Sequence, residues 1–393
     1  MKQNQTCEFD RIIDRHGSDA IALERLEENF GTTDLMPFWI ADTGFATPDF
    51  ITDAMRRRLE HPIFGYTAEN PAYRPCLADW VAKRHDWHIE PEWITYIPGI
   101  VKGIGMAINV FVKPGEKVII QPPVYHPFRL VPEANGREVV ANPLRELPDG
   151  SYEIDFDNLA QVADSDCRML ILCNPHNPAG ILWPRETLER LADFCAERNI
   201  IVISDEIHCD MALWGKKHIP FASVSERAAN CSITFQAPSK TFNIAGIVSS
   251  FSIVPNPELR KRFYGWLEAN ELNEPHLLAP IATMAAYTDE GNEWRKRMLS
   301  YIEDNVRFVE EFCRDNLPGI RPVRPDASFL IWLDCRALGL NQAELVDLFI
   351  NKAGLALNDG SIFGKQGEGH MRFNIGFPRA MLLEALTRLS QVL

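Results

Sequence analysis

The sequence has no run approaching the ~18 apolar residues that a membrane-spanning helix needs, which excludes an integral helical membrane protein. It has no long basic block either: 40 Lys and Arg stand against 54 Asp and Glu, for a formal net charge of −14. That balance argues against nucleic acid or an anionic membrane surface as the main partner. It leaves room for a small anionic ligand held by local dipoles and single cations. The nine cysteines are scattered and contain no C-x-x-C pair, so neither a disulfide framework nor a zinc site is expected. Reduced thiols in a cytoplasmic protein fit better. H-E-x-x-H is absent. His85 and His88 of "HDWH" could share a helix face at i, i+3, and are read as surface residues of a helix end. The opening "MKQNQTCEFDRIIDRHGSD" lacks the apolar core of a signal peptide. No internal repeat, low-complexity tract or disordered linker is present.

The chain has 393 residues, 46% of them hydrophobic, enough for two domains and a substantial core. Beyond about residue 90 short apolar segments bounded by turn residues recur. They are "EKVIIQPP" (116–123), "REVVANPL" (137–144), "CRMLILCNP" (167–175), "IIVISDEIH" (200–208), "SITFQAPS" (232–239) and "IVSSFSIV" (247–254). Helical patterns lie between several of them, among them "PRETLERLADFCAERN" (184–199), which opens on the proline favoured at a helix start. Apolar strands alternating with helices predict an α/β fold whose mostly parallel sheet is covered on both faces. The tail differs. A long helical pattern over 292–316 precedes strand-like "SFLIWLD" and "MRFNIG", a helix near 341–353 and a last helix from Pro378. The expected organisation is an N-terminal arm joined to a small domain (1–49), a large domain (50–290) and a small α+β domain (291–393).

Open α/β sheets bind ligands beyond the carboxyl ends of their strands. After "WITYIP" comes Gly99-Ile100-Val101, opening a helix; after "MLILC" comes Asn174-Pro175-His176-Asn177. After "IIVIS" come Asp205, Glu206 and His208, and after "SITFQ" comes Lys240. A helix start suited to an anion, an amide, a carboxylate and an amine would then converge on one edge. Pyridoxal 5′-phosphate needs such a set. An amine joins its aldehyde, and a carboxylate keeps its pyridine nitrogen protonated so that the ring can accept electrons. A donor meets the ring hydroxyl, an aromatic covers the ring, and backbone N–H groups take the phosphate. Lys240, Asp205, Asn177, Tyr125 and the Gly99–Ile100–Val101 turn supply these in order.

"ISDEIHCDM", "CNPHNPAG" and "SKTFN" together resemble the fold type I pyridoxal-phosphate enzymes of the class I/II aminotransferase superfamily. Within it the chain is similar to the MalY-like, cystathionine β-lyase (C–S lyase) branch. The likeness runs from "DRHG" and "DLMPFWIAD" through "FGYT" to "MRFNIGFPR", nearly the whole chain. The resemblance implies Lys240 as the cofactor lysine, Asp205 as the pyridine-nitrogen partner and Asn177 as the ring-hydroxyl donor. It implies Tyr125 as the stacking aromatic and Arg372 as the grip on the substrate α-carboxylate, where a guanidinium gives a two-point bond. Trp39, within "DLMPFWIAD", falls on the substrate side. Tyr66 of "FGYT" is implied to reach the phosphate and catalytic centre of a neighbouring subunit, hence a homodimer with shared sites. His208 stands where the transaminase branch usually carries tyrosine, either near the ring hydroxyl or packed behind it. Asn174 is expected to shape its turn, and Glu206 to be structural.

The chain also departs from the branch pattern. Ala41-Asp42-Thr43-Gly44-Phe45 replaces "ADMDF". Ala237 stands where a phosphate-binding serine is common, and Val248 where transaminases usually carry arginine. Phosphate binding would then rest on the helix start, on Ser239 and on the neighbour's Tyr66. The resemblance implies a β-eliminating C–S lyase acting on L-cystathionine or S-substituted cysteines. The alternatives are an aminotransferase and a pyridoxal-phosphate protein devoted to binding a regulatory partner.

Overall fold

The computed structural model describes residues 7–393; residues 1–6 of the expected N-terminal arm lie outside the described residues. Seven strands form the main sheet: β1 (Ile94–Ile97), β2 (Lys117–Ile120), β3 (Glu138–Ala141), β4 (Cys167–Cys173), β5 (Ile201–Asp205), β6 (Ser232–Gln236) and β7 (Ser250–Ile253). Their order across the sheet is β1-β7-β6-β5-β4-β2-β3. Only β7 runs against the rest, pairing antiparallel with β1 and β6. Burial on both faces explains the near-continuous apolar runs. Along β2, β4 and β5, Ile119, Leu170, Leu172 and Val202 pack into one core, while Val118, Ile120, Met169, Ile171 and Ile203 pack into another on the opposite face. This is the period-two alternation of strands buried on both sides.

The helices show the complementary period. Arg185–Glu197 starts after Pro184 and buries Leu188, Leu191, Ala192 and Cys195 at i, i+3, i+4 and i+7. The 28-residue helix Asp289–Asn316 starts at Thr288, whose hydroxyl accepts from the Gly291 N–H at 3.1 Å. Its buried stripe, Trp294, Met298, Ile302, Val306, Val309 and Cys313, faces the second sheet's core. That sheet is β8 (Arg321–Val323), β9 (Leu330–Asp334), β10 (Asn358–Asp359) and β11 (His370–Asn374), in the order β8-β9-β11-β10 and antiparallel throughout. The last helix, Arg379–Ser390, follows Pro378.

Two asparagines, buried Asn374 and half-buried Asn243, strap the segment 40–45 between the parts that will form the site. The Asn374 amide donates to the carbonyls of Ile40 (2.7 Å) and Asp42 (2.6 Å). Asn243, three residues past Lys240, accepts from the Thr43 N–H (3.1 Å) and donates to the carbonyls of Thr43 (3.0 Å) and Phe45 (2.8 Å). Met36–Pro37 pairs in parallel with Leu355–Ala356. An N-terminal stretch with no regular structure is thus fixed by side-chain amides that do the work of a missing strand partner.

The surface reading of "HDWH" is corrected. The helix Tyr73–His85 stops because Asp86 takes the left-handed conformation (φ 53°), and the chain then turns inward to bury Trp87 and Ile89. His85 is buried against Asp210, whereas His88 lies past the helix on the surface and shares no face with it. Among the described residues no helix is long and apolar enough to cross a membrane.

Candidate active site

Strands β4, β5 and β6 end in register, with Cys173 opposite Asp205 and Asp205 opposite Phe235. Their following residues therefore emerge side by side, and with Arg372 of β11 they enclose a cleft of about 360 Å³. Its lining includes Trp39, Ile100, Val101, Tyr125, Asn177, Asp205, His208, Lys240 and Arg372. These residues come from seven separate stretches of sequence.

The Lys240 amine donates to the Ala41 carbonyl at 2.6 Å. Burial lowers its pKa to about 8, with Asp42 and Asp205 opposing that shift and Arg372 adding to it. An amine so depressed is about half neutral at pH 8 and about one-tenth neutral at pH 7, and the neutral form attacks an aldehyde or accepts a proton. Asp205 is buried with a single hydrogen bond to its carboxylate, from the Ile207 N–H at 3.1 Å. Burial raises its pKa to about 7, against the Ile207 N–H and the Lys240 charge. A carboxylate held out of water with so little compensation favours a cationic partner, such as a protonated ring nitrogen.

Arg372 is the matching case of opposite sign. Its guanidinium is buried and bonds only to neutral acceptors: Asn177 Oδ1 at 3.2 Å, the Trp39 carbonyl at 2.7 Å and Asn358 Oδ1. Its Nε has no partner, and burial lowers its pKa to about 10. A buried guanidinium paired with no carboxylate, facing a cleft, is a site for an anion. Replacing Arg372 by lysine keeps a charge but loses the fork. Steady-state kinetics should then show KM for an amino-acid substrate raised at least ~10-fold, about 1.4 kcal/mol, with kcat changed less. An unchanged KM would remove the carboxylate role.

The remaining pieces frame these three. The Tyr125 N–H donates to the Asn177 carbonyl at 3.1 Å, tying the loops after β2 and β4, and the phenol is buried enough to raise its pKa. Asn177 uses its Oδ1 on Arg372, so its amide nitrogen is free to donate. The helix Ile100–Phe111 begins after Gly99, whose φ of 109° admits few residues but glycine, and no side chain caps its first turn. The N–H groups of Ile100 and Val101 therefore open at the cleft, an arrangement suited to a phosphate. Val248 sits 3.9 Å from where a Gly99 Cβ would be, itself at φ 51°, an uncommon conformation for a β-branched residue. Ser239 is buried beside the lysine, and Ala237 offers no hydroxyl. His208 lines the cleft with its Nδ1 unpartnered, and burial holds it neutral with a pKa of about 3.

Tyr66, Glu206 and Asn174 lie outside this chain's own cleft. Tyr66 projects from an irregular stretch as a fully exposed side chain and lines no part of its own chain's cleft. Glu206 lies behind the sheet edge, bonded to Ser204 (2.8 Å), His218 (2.9 Å), the Phe221 N–H (2.9 Å) and Gln236 (3.0 Å). Asn174 donates from its amide to the Ile219 carbonyl at 3.0 Å. The structure adds residues that strand-end reasoning missed. Ile207 lies two past Asp205 in the same turn, a spacing that could have revealed it. Asn358 braces Arg372 from β10. His126 follows Tyr125 with a buried, unpartnered Nδ1 and a pKa lowered to about 4 by burial and the charges of Arg372 and Arg129. Thr241 and Ser249 carry buried hydroxyls without partners.

The residues present fit pyridoxal phosphate: an under-compensated buried carboxylate, an amine, an aromatic ring, a free amide and an uncapped helix start share one cleft. Comparison places the arrangement in a class. The chain belongs to the aminotransferase class I and II family, whose model matches residues 37–389. It is 43% identical over 386 residues to cystathionine beta-lyase PatB of Bacillus subtilis, covering 98% of this chain and 99% of that one. A PLP-bound putative aminotransferase from Clostridium difficile superposes with a TM-score of 0.95 at 38% identity, covering 98% and 99% of the two chains. The PLP-bound C–S lyase from Staphylococcus hominis gives 0.89 at 32% identity, covering 98% of each. The protein is a pyridoxal-phosphate enzyme of this fold.

Proposed function

We propose that the protein is a pyridoxal-phosphate-dependent carbon–sulfur β-lyase that converts L-cystathionine or an S-substituted L-cysteine to a thiol, pyruvate and ammonia. The observation that carries this reading is full-length similarity to a cystathionine β-lyase at 43% identity, joined to a cleft holding one amine, one carboxylate and one unpaired guanidinium. Lys240, Asp205, Asn177, Tyr125 and the helix start at Ile100 would hold pyridoxal phosphate, which would supply an aldehyde for the substrate amine and a ring able to accept negative charge from Cα. Arg372 grips the α-carboxylate and orients the Cα–H bond. Lys240 removes the Cα proton. Asp205 keeps the proton on the ring nitrogen. A thiolate then leaves from Cβ, and water hydrolyses the remaining enamine, once released, to pyruvate and ammonia. A free thiol has a pKa of about 8.5, so the leaving group needs no acid to assist it. This suits a cleft whose two histidines, His126 and His208, are both held neutral.

Thiol release tests the reading. Purified protein loaded with pyridoxal phosphate should liberate free thiol from an S-substituted L-cysteine with saturation, and the rate should fall with cofactor removal. No thiol above the rate of free cofactor would sink it.

The site is read as shared within a homodimer. Leu59, Ile63, Phe64 and Tyr66 are exposed together along one short stretch, an apolar cluster that a second copy would cover. Tyr66 would then enter the partner's cleft. Mixing Tyr66→Ala and Lys240→Ala proteins, each inactive alone, should restore partial activity, because a hybrid dimer holds one intact site. No recovery after verified subunit exchange would place Tyr66 elsewhere. All nine cysteines are free thiols, which suits a cytoplasmic location.

A further inference from the structure

Outside the cleft, three side chains with metal-ligating atoms meet from two distant parts of the sequence. His85 ends its helix, while Cys209 and Asp210 lie in the 3-10 turn that follows Asp205 and His208. One ligating atom from each lies within 4.8 Å of the others. The three residues are buried, at 8%, 3% and 3% exposure, and line a cavity of about 470 Å³ that shares none of its lining with the cleft.

The geometry favours an ion over a simple His–Asp pair. His85 Nε2 and Asp210 Oδ1 stand 3.2 Å apart, within ion-pair distance, but their orientation is poor for a hydrogen bond and neither atom has another polar partner. Two ligands bound tetrahedrally at zinc distances of about 2.0–2.1 Å stand about 3.3 Å apart. The supporting contacts also match a metal centre. Trp80 Nε1 donates to Asp210 Oδ2 at 3.0 Å, leaving Oδ1 to ligate. His218, in the same cavity, faces Glu206 through Nε2 at 2.9 Å while its buried Nδ1 has no partner. The rings of His85 and His218 are 5.3 Å apart between centroids.

We propose that His85, Cys209 and Asp210 bind a zinc ion, with a water completing the tetrahedron. Thiolate, imidazole and carboxylate together suit zinc and disfavour magnesium or calcium. The Cys209 proton passes to solvent on binding, and the thiolate and the Asp210 carboxylate together neutralise the divalent charge. Four lysines at the cavity are already paired, Lys83 with Asp79, Lys216 with Asp326, Lys217 with Asp86 and Lys296 with Glu293. Arg295 donates to the Asp210 carbonyl at 2.9 Å. The ion would pin the end of one helix to the turn behind Asp205, a structural role remote from the reacting atoms.

The test uses cofactor-loaded protein equilibrated with Zn²⁺ and then desalted. Metal analysis should find about one zinc per chain, and X-ray absorption one sulfur at ~2.3 Å among nitrogen and oxygen ligands at ~2.0–2.1 Å. Cys209→Ser should lose the sulfur shell and bind zinc at least ~10-fold more weakly, with His85→Gln weakened to a similar degree. An unchanged cofactor absorbance reports that each variant is folded, and Cys209→Ala replaces the serine variant if that one is not. Less than ~0.1 zinc per wild-type chain, or an unaltered sulfur shell in the Cys209 variants, would overturn the proposal.

Discussion

Lys240→Ala is expected to abolish turnover while leaving the fold intact. The amine lies in a cleft rather than in the core, and its one hydrogen bond, to the Ala41 carbonyl, is lost without opening a large cavity. The loss should be at least ~1,000-fold, about 4 kcal/mol at 1.36 kcal/mol per decade, because the proposed mechanism gives one group both the hold on the cofactor and the transfer of the Cα proton. Two measurements check it. Turnover of purified, cofactor-loaded variant should be at background. Borohydride reduction of the wild type, followed by mass spectrometry, should find the cofactor on the peptide containing Lys240 and on no other. Undiminished turnover in the variant would end the assignment.

The second large effect belongs to Asp205. Asp205→Asn keeps the shape and the Ile207 N–H contact but removes the charge that holds a proton on the ring nitrogen. Turnover should fall at least ~100-fold, about 2.7 kcal/mol, with the cofactor still bound and its absorbance shifted. The environment explains the size of this effect. Burial drives the Asp205 pKa up to about 7 even against the Ile207 N–H and the Lys240 charge, so the carboxylate is poised between its two forms until a closer cation arrives. A ring nitrogen that brings a proton relieves that penalty, and the amide cannot reciprocate. A wild-type rate in Asp205→Asn would refute the electrostatic role.

The legibility of this site follows from the sheet. In a parallel sheet the carboxyl ends of adjacent strands share one edge, so Lys240, Asp205 and Asn177 could be assembled from strand pattern alone. Asp205 even stands in register opposite Cys173, four residues before Asn177. Arg372 was legible only through resemblance, since it lies mid-strand in the other sheet, where periodicity says nothing of what it faces. Ala41 and Asn358 were not legible at all. Ala41 meets Lys240 across 199 residues through a backbone carbonyl, which has no sequence signature. His85 was misread because a helix end usually faces solvent, and the left-handed turn at Asp86 that buries it carries no glycine to mark it. No short metal-binding spacing pointed to Cys209 either, because His85 reaches it only through the tertiary fold.

The division of products from a single substrate tests the central claim most directly. L-cystathionine should be incubated with cofactor-loaded protein and no added 2-oxo acid, with thiol, pyruvate and ammonia measured in the same sample. A C–S β-lyase yields the three in equal amounts over many turnovers, with the cofactor spectrum returning to its starting form. If turnover instead stalls after about one equivalent per site, resumes only when a 2-oxo acid is supplied, and leaves the cofactor in its amine form, the protein is an aminotransferase and the lyase account is wrong.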